Sequence, residues 1–102
     1  MPHLSDVFES IVEPVKRRLT AAGVRRIGVF GSFARNEATA NSDVDVLVAF
    51  DPECRTFDNL YKVGEALEEA FRCRVDLVTE DSLSPHLGPS ILREVKYVDL
   101  GR

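Results

Sequence analysis

Apolar side chains return at helical spacing through the N-terminal part of the chain, with Leu4, Val7, Phe8, Ile11, Val12, Val15, Leu19 and Ala22 on one stripe. The stripe predicts a helix capped by Ser5 or Asp6 and ended by Gly23. Pro14 lies inside the stripe without shifting its phase, which predicts a kink or two helical pieces rather than a domain break. The pattern then changes. Val24 to Phe30 reads as a strand, and Ser42 to Phe50 as a second, with Val44, Val46, Val48 and Phe50 on one face. Asp51-Pro52 ends it. Thr56 caps a second helical stripe of Phe57, Leu60, Val63, Leu67, Ala70 and Phe71. Cys73 to Thr79 reads as a third strand. From Ser82 to Val95 the pattern is mixed: Pro85 and Pro89 suit first helical turns, while Gly88-Pro89 opposes one continuous helix. Tyr97 to Leu100 suits a short edge strand.

Strands alternating with helices predict an α/β (α+β) fold, a small mixed β-sheet flanked by helices in two or three layers. The first two strands are joined by the loop from Gly31 to Asn41, which makes them antiparallel if it stays at one end of the sheet. The second and third are separated by a long helix, which suits a parallel crossover. No repeat, low-complexity stretch or linker interrupts the 102 residues, so residues 1–102 read as a single domain.

Composition narrows the class. Hydrophobic residues make up 44 % and charged residues 29 %, a globular balance that argues against disorder. No apolar run approaches the length of a membrane helix, and the N-terminus lacks a basic, apolar leader, so the cytoplasm is the expected location. Cys54 and Cys73 lack zinc spacing and read as two reduced thiols. The net charge of −4 does not indicate a long nucleic acid as partner. The local basic runs Lys16-Arg17-Arg18 and Arg25-Arg26 read more readily as solvated charge.

Candidate chemistry gathers in two places. Asp43 and Asp45 lie two apart at the start of the second strand, so both leave the same face with Cα atoms about 6.6 Å apart. Asp76 lies in the third strand and joins them if the strands are neighbours. Three oxygen donors suit a hard cation such as Mg²⁺, and two such ions serve in-line phosphoryl chemistry. Without a metal, three carboxylates repel and raise each other's proton affinity. The plainer alternative is a solvated polar sheet face. The second place is Gly31-Ser32, directly after an apolar strand. Backbone amides and a hydroxyl there suit phosphate oxygens; the alternative is an ordinary strand-to-helix turn with a Ser cap. The Gly-Lys-Ser/Thr ending of a P-loop is absent. His3 and His86 read as surface residues, and Tyr61 and Tyr97 as packing residues.

Taken together, Gly31-Ser32-Phe33-Ala34-Arg35-Asn36-Glu37 followed by Ser42-Asp43-Val44-Asp45-Val46-Leu47-Val48 resembles the signature of the DNA polymerase β-type nucleotidyltransferase superfamily. The nearest resemblance is to its minimal nucleotidyltransferase branch, found as the antitoxin beside a HEPN-domain toxin. The likeness runs from the first helix to the third strand and implies a polymerase β palm-like fold. It implies Asp43, Asp45 and Asp76 as catalytic, metal-holding carboxylates, with Asp76 also serving the acceptor hydroxyl. It implies Gly31 and Ser32 as holders of the triphosphate. Arg35 matches the motif's arginine, which either contacts phosphate or pairs with an acidic side chain. Asn36 stands where the family usually has a second glycine, a departure that Asn's tolerance of positive φ softens. Ser42 matches the family and suits a loop-capping role. The implied reaction is Mg²⁺-dependent, with Mn²⁺ as substitute. It transfers a nucleoside monophosphate, AMP from ATP, to a tyrosine of a HEPN-type partner and releases pyrophosphate. The competing expectation is a non-catalytic binding module that neutralises a partner by covering it.

Overall fold

The structure, a computed structural model, describes residues 4–35, 43–86 and 88–100. His3, Asn36 and Ser42, and with them the departure at Asn36, lie outside the described residues. The N-terminal stripe folds as two pieces, α1 (Leu4–Val12) and α2 (Lys16–Ala21), joined by a 3-10 turn at Glu13–Val15. Pro14 sits at the start of that turn, where a missing N–H costs little. The apolar phase survives, so Phe8, Val12, Val15 and Leu19 all reach the core. α1 already begins at Leu4, so Ser5 and Asp6 lie within its first turn and not at the cap.

The strands follow as β1 (Val24–Phe30), β2 (Val44–Phe50), β3 (Val75–Thr79) and β4 (Lys96–Asp99), in the sheet order β3-β2-β1-β4. β1 pairs antiparallel with β2 and β4, and β2 pairs parallel with β3, giving the mixed sheet that the connections predict. β1 and β2 are joined through one helical turn, α3 (Gly31–Ala34). β2 and β3 are joined by the crossover helix α4 (Phe57–Phe71), and α5 (Gly88–Glu94) precedes β4. Pro89 falls in the first turn of α5, as its lack of an N–H allows.

Period-two alternation gives the sheet one apolar face, where Ile27, Val29, Val46 and Val48 join residues of α1, α2 and α4 in a single cluster. α4 is capped by the Thr56 hydroxyl, which accepts from the Asn59 N–H at 3.1 Å. Val63, Ala66 and Leu67 form its buried face. The expected stripe fails at its first residue: Phe57, directly after the Thr56 cap, is 92 % exposed. At the other end, Phe71 stacks on Phe8 and meets Phe33 edge-on, both at 5.7 Å, so one ring ties α1, α3 and α4 together. Arg72 then takes the left-handed conformation (φ 58°) that reverses the chain toward β3. The basic residues meet acids across the fold: Arg18 bonds Glu69 at 2.7 Å and Arg26 bonds Glu80 at 3.1 Å.

Gly23 makes the reversal from α2 into β1 at φ +89°, with its Cα against the side chain of Cys54. Gly23→Ala therefore meets both a left-handed backbone and a filled space. We expect it to lower stability by at least about 1–2 kcal/mol, the cost of a Cβ in that conformation. Urea unfolding checks this: an unchanged midpoint at unchanged slope would show that the turn relaxes without cost.

Candidate active site

β2 enters the sheet with an aspartate on either side of its first residue. Asp43 precedes Val44 and Asp45 follows it, so alternation turns both carboxylates away from the buried valine face. Register sets their neighbours. Asp45 stands opposite Phe30, the last residue of β1, and beside Asp76 of β3. Neighbouring strands lie about 4.8 Å apart, and paired residues share a face, so Asp45 and Asp76 emerge side by side. The parallel crossover through α4 is what brings a residue of the third strand to this end of the second.

The carboxylates feel one another. Asp45 is pushed above the usual carboxylate range, first by burial, then by the charges of Asp76 and Asp43; Arg35 opposes the shift and Glu94 adds to it. Cys73 lies within reach of the same field: burial raises its thiol pKa, and Asp43 and Glu68 raise it further, which keeps the sulfur protonated. Among the described residues, no three His, Cys, Asp or Glu side chains are drawn together into a preformed metal cage. The all-oxygen donor set still fits a hard divalent cation, of the kind that completes its shell with water and substrate phosphates.

Gly31 forms the turn out of β1 at φ +73°, with its Cα against the Asp45 carboxylate, so a side chain here would displace Asp45. Its N–H donates to Glu94 Oε1, and the same oxygen accepts from Arg35 Nη1 at 2.8 Å. Of the two roles open to Arg35, the acidic pairing is the one seen. Ser32 lies half-buried in the first turn of α3. The cap position of that turn is Phe30, with no side-chain cap bond, so Ser32 is not the cap of an ordinary turn.

A nucleotidyltransferase-domain model matches residues 9–98. The chain belongs to the nucleotidyltransferase-domain family. A protein adenylyltransferase MntA from Thermococcus cleftensis is 45 % identical over 92 residues, covering 89 % of this chain and 92 % of that relative. A solved minimal nucleotidyltransferase superposes with a TM-score of 0.76 at 38 % identity, over 90 % of this chain and 93 % of the other. The fold also matches, at a TM-score of 0.56 and 21 % identity, a structure of a tri-AMPylated Shewanella oneidensis HEPN toxin in complex with MNT antitoxin, covering 87 % of this chain and 69 % of that one. The protein is thus a nucleotidyltransferase with the minimal nucleotidyltransferase fold. No helix of its described residues is long and apolar enough to cross a membrane.

Glu94 escaped the sequence reading. It sits in Leu92-Arg93-Glu94-Val95, a stretch that looks like a solvated helix end, and its two contacts lie 63 and 59 residues away. No local signal in the nucleotidyltransferase chain could have revealed them. Tyr61 also departs from expectation: it is 70 % exposed on α4 rather than packed. Tyr97 does pack. Its ring lies under Arg26, its hydroxyl donates to Glu80 at 2.6 Å, and burial and Glu80 push its pKa up to about 12.

The raised Asp45 has a consequence for stability. A folded-state pKa above the unfolded one favours folding below the unfolded pKa, and that contribution is lost as pH rises through the folded value. At neutral pH the ionised side chain therefore costs stability. Asp45→Asn should raise the unfolding free energy at pH 7 in chelator by less than about 1 kcal/mol, seen as a higher urea midpoint, since the carboxylate keeps solvent contact. The gain should shrink toward pH 3. A lower midpoint at pH 7 would show instead that the charge makes a net favourable contact.

Proposed function

We propose that this nucleotidyltransferase uses Mg²⁺, or Mn²⁺ in its place, to move AMP from ATP onto a tyrosine hydroxyl of a HEPN-type partner protein. The observation that carries this reading is the register pairing of Asp45 with Asp76, beside Asp43 and against the Gly31 turn. It gathers acidic oxygens next to a glycine-led turn at one end of the sheet. The name of the Thermococcus cleftensis relative, a protein adenylyltransferase, supports AMP as the group moved and a protein as its acceptor. The partner class rests on the sequence resemblance, and a HEPN toxin with an MNT antitoxin of the same fold agrees with it.

Each residue then has a task. Asp43 and Asp45 hold the cation that accompanies the triphosphate. Ser32 and the Gly31 turn receive phosphate oxygens, where a side chain at Gly31 would crowd Asp45. Asp76 takes the proton from the acceptor hydroxyl as its oxygen attacks the α-phosphorus. The bond between the α-phosphorus and the bridging oxygen breaks, and pyrophosphate leaves with that electron pair. A cation held by Asp43 and Asp45 would supply charge neutralisation for the phosphates and acidity to the attacking hydroxyl. In this reading a partner subunit completes the grip on the acceptor.

Intact-mass measurement of a co-expressed partner, with and without this chain, tests the reading, with one AMP or more added per acceptor as the expected result. Ser32→Ala should weaken triphosphate binding by about 1.5–3 kcal/mol, the value of one hydrogen bond to a charged group. Asp76→Asn should bind Mg²⁺-ATP within about tenfold of wild type yet lose transfer by about 10² or more, the scale of a general base. Near wild-type transfer by folded Asp76→Asn would remove Asp76 from the chemistry. Absence of transfer by the wild-type protein with either metal would favour a module that acts by binding alone.

A further inference from the structure

The donors of the phosphate turn are already engaged by an anion of the chain itself. Glu94 Oε1 accepts from the Gly31 N–H and from Arg35 Nη1 at once. A phosphate oxygen would seek the same two groups, a backbone amide and a guanidinium. Glu94 ends α5 and is only partly buried, with 30 % of its side chain exposed, so its carboxylate has solvent to swing into. Its charge also acts on Asp45 in the direction that disfavours ionisation.

We infer that Glu94 is a built-in competitor for the triphosphate: it holds the phosphate turn in order, and the incoming polyphosphate must displace it. The inference rests on the phosphate-binding role proposed for the Gly31 turn and extends that role to Arg35. Glu94 is a specificity-determining residue in this scheme and not a catalytic one, because it departs before the reacting atoms meet. One anionic phosphate oxygen can replace both contacts, as one Glu94 oxygen makes both. An uncharged nucleoside offers no such oxygen.

The substitution that separates competition from simple support is Glu94→Gln. The amide oxygen still accepts from the Gly31 N–H, so the turn keeps a partner, while the charge that competes with phosphate is gone. We expect Mg²⁺–α,β-methylene-ATP and Mg²⁺–tripolyphosphate to bind Glu94→Gln about three- to tenfold more tightly than wild type by titration calorimetry, a neutral acceptor being weaker than a carboxylate for a guanidinium. Equal or weaker binding, with wild-type binding intact, overturns the competition while leaving the proposed function standing. No binding of either probe by either protein overturns both. A second measurement needs no variant: hydrogen exchange of residues 88–95 in wild type should quicken when Mg²⁺–tripolyphosphate is added, as Glu94 lets go. Slowed or unchanged exchange there, with binding confirmed, also overturns the inference.

Discussion

Everything at the active end depends on β2 lying between two strands. Its valines must face the helices, because Val44, Val46 and Val48 are buried against α1, α2 and α4. Strict alternation then leaves Asp43 and Asp45 no choice of face. A slip of one residue would bury two carboxylates and expose three valines, so the hydrophobic core enforces the position of the charges. The same logic reaches β3, where Leu77 packs against the core and its neighbour Asp76 is thereby turned toward Asp45.

The arrangement sets stability against chemistry. Asp45 is disfavoured by burial and by its acidic neighbours, a conflict with no structural benefit in the chain alone. Such local conflict fits the cation site proposed for these carboxylates. Arg35 and Glu94 moderate it in opposite senses. The arginine eases the charge on Asp45, while the glutamate adds to it and holds the arginine in place.

Much of this was legible in the sequence, for identifiable reasons. The β2 alternation and the carboxylate pair are local patterns of period two. Gly31-Ser32 follows an apolar strand directly, and the antiparallel and parallel pairings follow from connection length. Pro14 within an unbroken stripe correctly implied two helical pieces. What stayed hidden was non-local or lay at an edge. Glu94 reaches across the fold to residues that no spacing rule connects with it. Phe57 looked like core because periodicity records the phase of a helix and not whether anything packs against its first turn. The role of Arg35 needed an acidic partner to be seen.

The sheet order has a last consequence, for how the site comes into being. No single element supplies it alone: Asp45 and Asp76 meet only after the α4 crossover closes, and Gly31 meets Glu94 across 63 residues. Closing loops of that length costs chain entropy before any contact repays it. A nascent chain that has emerged only as far as β2 carries the signature motif but no site. The carboxylate pair therefore assembles only once β3 docks beside β2, however early the motif itself has been made.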